Sequence, residues 1–595
     1  LNTATASSAP KKFYTQQITA HQAELAIVKK QLLVSSIIRL LIFIMTCCGL
    51  YYGYPNTQIS IGSLVLGTII FLYLVTRHSN LSYTKDKLQQ LLAINQLELD
   101  VFDGQTDALD PGTAFMDSEH PYSHDIDLFG NHSFFQFSNR TATLAGKEKL
   151  AAVLTSNAIT HIEEQQQAIK NLSQLASWRQ DFGAIASLVT VTVPIVSIQK
   201  WFQNYTPFVP KFMRALPGVI TGVSSVALVL LFMGWMNFNL FLLWFMIGLV
   251  ITGTQLFKIN ALYSNANQVK DTFVQYYKLV DKIENAKFEA SLLKKKQQQL
   301  SHDDQKASLV LKQFASILNA FDQRNNMLFG FLANGLLLWD IRQSYRIEKW
   351  IAQHHEKVKQ WFEVIAFFDA YNSLGNFAFN HPKYVFPEIT KDDTILEATA
   401  LGHPMLDSKK RVTNAIKIDQ EQFFIITGAN MAGKSTFLRT VALQLVMANV
   451  GLPICATSCR YRPIKLYTSM RTSDSLSDDA SYFFSELTQL KRIVDALEKE
   501  AYFIILDEIL KGTNSKDKAS GSRKFVKRLV QAKATGIIAT HDLSLCEISK
   551  ELPQVHNRFF DAEIINDELY FDYTFKSGIC QNMNASFLLK KMGIV

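Results

Sequence analysis

Residues 423–450 read FFIITGANMAGKSTFLRTVALQLVMANV. The opening FFIIT is an apolar run of strand length, and from Ser435 onward apolar residues fall at helical spacing. Between strand and helix, Gly428, Ala429, Asn430, Met431, Ala432, Gly433, Lys434, Ser435 and Thr436 fit G-x-x-x-x-G-K-[ST] and run one residue past it. Glycines let backbone N–H groups wrap a phosphate, and the helix N-terminus adds a favourable dipole. Lys434 is spaced to reach the β and γ phosphates, and the Ser435 hydroxyl to ligate Mg²⁺. This stretch predicts a site for ATP with Mg²⁺.

Further along, AYFIILDEILKGTNS (501–515) supplies a second apolar strand ending in two carboxylates. Asp507 at its tip is placed to hold Mg²⁺, and Glu508 to polarise an attacking water, as in-line phosphoryl transfer requires. A third strand, TGIIATHD (535–542), ends in His541, which is expected to orient or sense the γ-phosphate. Strand ends in this order predict a C-terminal α/β P-loop NTPase domain of the ABC class that hydrolyses ATP to ADP and phosphate.

The details resemble one family. TGANMAGKST, LDEILKGTNS and ATHD are similar to the motifs of MutS DNA mismatch-repair ATPases, as is LGHPML (401–406) ahead of the loop. DSLSDDASYFFSELTQLKRIV (474–494) resembles the family's signature segment, and the resemblance implies that Ser481 faces the partner's nucleotide in a homodimer with composite sites. Upstream, DLFGNHSFFQFSNRTATLAGKEKLAAVL (127–154) resembles the start of the family's helical core, with its Asn-x-Thr-x-Thr-x-x-Gly pattern. The aromatic residue expected to stack on adenine shortly before Asn414 is replaced here by Arg411 or Val412; Arg411 would cover a base by cation–π stacking. The resemblance also implies DNA as a partner and mismatch repair as the process.

The first half departs from that family. Residues 40–76 and 215–257 carry no charged side chain, and each is broken once, by GYPNTQ (53–58) and WMNFN (235–239). Each half-run approaches the ~20 residues needed to cross ~30 Å of hydrocarbon, which predicts two transmembrane hairpins. Lys29, Lys30, Arg77, Lys85, Lys87, Lys200, Lys211, Arg214 and Lys258 flank them on one side, so both termini and the ATPase domain are expected in the cytoplasm. The expected order is a cytosolic segment (1–32), hairpin one (33–76), a linker (77–124), the start of a helical core (125–215), hairpin two (216–257), a helical lever (258–390) and the ATPase domain (391–595). The family's mismatch-reading domain would occupy the space taken by hairpin one and the linker, so the chain reads as a membrane-anchored variant without it. Phe182–Gln199, uncharged but rich in β-branched residues, is left open between core and membrane contact. LFGFLANGLLLW (328–339) is too short to span and is expected to be buried.

Composition limits the alternatives. The 595 residues are 48% hydrophobic, and a net charge of +8 is too mild to demand an anionic partner. Six scattered cysteines, with no C-x-x-C pair, predict neither a disulfide framework nor zinc. An ABC-type transporter also joins spans to such an ATPase, but four spans are few and no LSGGQ-like segment stands at SYFFSELTQ (481–489). A membrane-tethered mechanochemical ATPase acting on a protein partner without DNA is the other alternative.

Overall fold

The computed structural model of the chain describes residues 2–54, 56–189, 193–302, 305–471, 482–511, 513–565 and 568–581. Two long helices open it: α1 (Asn2–Gly53) and α2 (Thr57–Phe102). They run antiparallel, with Lys11 bonded to Asp103 at one end and Gly49 against Ser63 at the other. Close approach near the turn rests on small residues: a Cβ on Gly49 would lie 2.1 Å from Ser63 Oγ, and one on Gly67 2.1 Å from Thr46 Oγ1. At about 1.5 Å rise per residue each helix is roughly 70 Å long. The apolar halves near the turn expose side chains all round, while Leu25, Val28, Leu88 and Leu91 at the other end pack against Ala184. The polar stretch after Arg77 keeps the helical period, so α2 continues to Phe102 where a linker was expected.

α3 (Leu144–Thr155) and α4 (Ala176–Ser187) enter the helical core. Phe182, Ala184 and Ala186 of α4 are buried, as is Ile198 of the helix Ile195–Gln203, while Val196 is 57% exposed, so the stretch left open in sequence packs into protein through one face; residues 190–192 lie outside those described. The second uncharged stretch forms α5 (Leu216–Phe232) and α6 (Phe238–Gly253), tied by Trp244 Nε1 donating to Ser224 Oγ at 2.9 Å. α7 (Leu256–Glu284) leaves α6 at a 65° bend. By length and composition α1 and α2 are able to cross a membrane, and α6 with α7 joins them only if the bent pair is taken as one span.

α8 (Ala307–Asp322), α9 (Met327–Leu337) and α10 (Trp339–Asn380) follow. α9 corrects an expectation. It is buried only in part: Gly330, Ala333 and Gly335 face protein, but Met327 is 88% and Leu328 71% exposed at the tip joining α8 to α10. Along α10, Trp350 stacks on Phe314 at 3.9 Å, and the C-terminal third is buried on every side. There Asp369 accepts hydrogen bonds from the amides of Ala142 and Thr143 and the Thr143 hydroxyl. Thr143 in turn caps α3 through the Gly146 amide, and a Cβ on Gly146 would sit 2.1 Å from Asp369 Oδ2. The Asn-x-Thr-x-Thr-x-x-Gly pattern is thus a clamp between α3 and α10 rather than a ligand site.

A second buried joint fixes the base of the first hairpin. Glu98, 2% exposed, pairs with Arg140 at 2.7 Å and accepts from Asn376 and Asn380 of α10. Tyr14 of α1 donates to Asn380, and Arg179 of α4 to Asn376.

Among the described residues the C-terminal domain carries two larger sheets and a two-stranded hairpin of Glu563–Ile565 with Glu568–Tyr570. The strands of the larger sheets are β1 (Glu388–Ile389), β2 (Thr394–Leu401), β3 (Asn414–Asp419), β4 (Phe423–Gly428), β5 (Ser458–Tyr461), β6 (Lys465–Ser469), β7 (Tyr502–Asp507), β8 (Thr535–Ala539), β9 (Val555–Phe560) and β10 (Lys576–Ser577). The six-stranded sheet has the order β10-β9-β4-β8-β7-β6, parallel except for β10. The four-stranded sheet has the order β1-β5-β2-β3. β4, β7 and β8 are near-continuous apolar runs because this sheet is covered on both faces. α11 (Lys434–Val450) lies on one face, and α12 (Tyr482–Leu497) leads into β7. The helical half docks on β6, where Pro121 accepts from the Thr468 amide and Asp125 from the amides of Met470 and Arg471.

Candidate active site

Parallel strands end at the same sheet edge, which is where open α/β sheets bind ligands. The ends of β4, β7 and β8 accordingly bring the phosphate loop, Asp507-Glu508 and His541 around one cleft of about 650 Å³. Asn430, Met431, Gly433, Lys434, Ser435 and Thr436 line it; Ala432 is fully buried beneath. Gly428 turns the chain out of β4 at φ +152°, and a Cβ there would meet the Phe560 carbonyl oxygen at 2.6 Å. Gly433 at φ +96° opens α11, and Met431 holds a left-handed φ of +67° at the exposed loop tip.

Lys434 Nζ donates to the carbonyls of Gly428 and Ala429 at 2.8 and 2.9 Å. Burial lowers its pKa, opposed by the nearby charges of Asp507 and Glu508. Ser435 Oγ donates to Asp507 Oδ2 at 2.6 Å, so a hydroxyl and a carboxylate converge beside the loop. Such a hard oxygen pair, leaving room for water and phosphate oxygens, suits Mg²⁺. His541 Nε2 lies 2.9 Å from Glu508 Oε1. That hydrogen bond is the main reason the Glu508 carboxyl is held down to about 2, against the effect of burial. Glu508 has a φ of +50°, a conformation costly for a residue with a side chain, and its amide donates to the Ala539 carbonyl of β8.

The two residues read as adenine contacts separate. Val412 lines the cleft. Arg411 turns from it, donating to Tyr384 Oη and the His403 carbonyl at 3.2 and 3.1 Å. Ser481 lies outside the described residues. Sequence reasoning missed three groups. Tyr573 presents its ring beside Gly433, positioned by Asn414, which donates to the Tyr573 carbonyl and accepts from the Phe575 amide. His403 lines the cleft, its pKa lowered to about 4 by burial and then by Arg439 and Arg411. Glu486, 3% exposed on α12, accepts from the amides of Leu510 and Lys511 and so fastens the signature segment to the loop after Glu508. It stood inside the quoted SYFFSELTQ, but only the fold brings it to that loop.

Residues 424–590 match MutS domain V. Every residue lining the cleft named above except His403, Val412 and Asn414 falls inside that MutS domain V match. The DNA mismatch repair protein MutS of Fusobacterium nucleatum is 36% identical over 206 residues, 33% of this chain and 22% of that protein. The protein of the same name from Finegoldia magna is 30% identical over 233 residues, 38% of this chain and 27% of that one. MutS protein homolog 4 of Homo sapiens is 29% identical over 212 residues, 34% and 22% respectively. The chain thus spans less than a third of the length of each of these relatives, and the likeness to them supports a MutS-type C-terminal domain.

Proposed function

We propose that the chain is a membrane-anchored ATPase of the MutS kind, dimeric through its C-terminal domains, whose ATP cycle drives the α7–α10 levers on DNA. One observation carries the ATPase reading: Lys434, Ser435, Asp507, Glu508 and His541 meet at the ends of three adjacent parallel strands, within a stretch similar to MutS domain V. In this reading the γ-phosphate replaces the Gly428 and Ala429 carbonyls as acceptor for Lys434, and the loop amides cradle the β-phosphate. Ser435 and Asp507 would hold Mg²⁺, which would supply charge neutralisation at the phosphates. Glu508 takes the proton of the attacking water, and His541 fixes its carboxylate. Tyr573 and Val412 offer faces for the adenine, and Ser481 completes the partner's site. The names of the relatives support a DNA-linked role, and the uncharged faces of α1, α2, α5 and α6 support membrane anchoring.

A second reading has a membrane-associated protein as the load; the buried joint tying the first hairpin to α10 favours it. Detergent-purified protein titrated with homoduplex, mismatched and branched DNA, with and without ATP, separates the two. Salt-sensitive binding to any of these supports DNA as the load, and no binding at low salt removes it. Lys434→Ala is expected to abolish nucleotide binding, measured with a fluorescent ATP analogue; retained affinity would overturn the site.

A further inference from the structure

The tip helix α9 has a face that the fold leaves open. Met327, Leu328, Phe331 and Leu332 are exposed on one short helix, and residues 325–339 contain no charged side chain. Scattered exposed apolar residues need no explanation, but a contiguous patch of this kind marks an interface. The patch continues a larger one. Phe331 packs edge-on against Phe245 of α6, with ring centroids 5.0 Å apart. A Cβ on Gly248 would fall 2.1 Å from the Gly335 carbonyl oxygen, and one on Gly335 2.2 Å from the Phe245 ring. Backbones approach through glycine, as between helices packed in lipid. The exposed side chains of α9 are thus carried on a helix packed against α6, which itself exposes Leu243 and Val250.

The base of the tip is charged. Arg324 and Asp340 flank α9 and pair at 3.1 Å, with Asp340 buried. Exposed Arg342 and Arg346 follow one turn apart on α10, and the Arg214 guanidinium lies 5.4 Å over the Tyr345 ring between them. Glu348, which faces Arg214, is buried and bonded to the amides of Phe208 and Val209. An apolar tip above a basic belt with an aromatic member is the pattern of a segment seated in an anionic bilayer surface.

We propose that α9 inserts into the bilayer beside the α5–α6 hairpin, with Arg214, Arg342 and Arg346 held at anionic headgroups, so that the lever is itself a membrane contact. This rests on the membrane reading above, and the test separates the two. The full chain, with exposed Cys47 and Cys48 changed to Ser, is reconstituted in vesicles of phosphatidylcholine and phosphatidylglycerol. It carries an environment-sensitive fluorophore through Leu328→Cys or, as reference, Met246→Cys on α6. Blue-shifted emission quenched by spin-labelled lipid is expected from both positions. Quenching at 246 but not 328 overturns the proposal and leaves the α5–α6 hairpin in the membrane; quenching at neither overturns the proposal and the membrane seat of α5–α6 together. A 328 label shielded from lipid quencher but transferring energy to a label on another copy shows the tip covered by a second chain, which also overturns it. In Arg342→Gln/Arg346→Gln the quenching at 328 is expected to lose its dependence on phosphatidylglycerol. An unchanged dependence would remove the headgroup contact.

Discussion

At Glu508 a strained backbone, a hydrogen bond to His541 and the adjacent Asp507 carboxylate are concentrated in two consecutive positions. A carboxyl held down to about 2 is ionised, and able to accept a proton from water, throughout the working pH range. Because its pKa is depressed in the folded state, its contribution to stability is present above the ordinary glutamate value and lost as pH falls toward 2. Two outcomes follow for activity. Glu508→Gln should keep ATP binding and lower turnover by about 10²–10⁴-fold, measured by phosphate release; turnover within a few-fold of wild type would exclude Glu508 as the base. His541→Asn should move the acid limb of the kcat profile upward in pH, because Glu508 loses the partner that depresses it. The sequence named Lys434, Ser435, Asp507, Glu508 and His541 because each sits at a strand end or in the turn and helix start that follow one, where the order of residues along the chain sets position. Tyr573, His403 and Glu486 were illegible because the first two reach the cleft, and Glu486 the loop after Glu508, from separate segments, and no local spacing records that arrival.

Among the elements, α3 and α9 show the two ways a motif gains or loses its meaning in three dimensions. The Asn139 to Gly146 pattern looked like a family signature, and the fold makes it a socket for the Asp369 carboxylate. Burial raises that carboxyl to about 6, so the folded state binds the extra proton. Its share of the stability is then fully present below the unfolded aspartate value and declines as pH rises through 6. Asp369→Ala orphans the Ala142 and Thr143 amides and is expected to cost about 2–4 kcal/mol, measured by urea unfolding; a loss within error would mean the clamp is idle. α9 failed in the other direction. Its apolar composition was legible, but composition states only that water is avoided, not whether protein or another apolar phase does the covering. Gly335→Leu, which drives a side chain into the Phe245 ring, should separate α9 from α6 at a cost of about 1–3 kcal/mol, read as a lower melting temperature in detergent.

Across the molecule, the helical half and the α/β half were both foreseeable, from uncharged runs and three-residue spacing in one and from short apolar strands in the other. The joint between the first hairpin and α10 was not, because it is made by buried polar groups far apart in sequence. Glu98→Ala leaves Arg140 without its buried partner and should cost about 3–5 kcal/mol. Calorimetry should show the helical transition moving down while nucleotide affinity at the cleft is kept; a single transition shifted as a whole would mean that the halves unfold together. The same joint sets a schedule for synthesis. Tyr14 bonds to Asn380, a residue 366 positions later. At roughly 5–20 residues per second a ribosome needs on the order of 20–70 s to deliver that partner. The base of the first hairpin therefore stays undocked while the residues up to Asn380 are still being made.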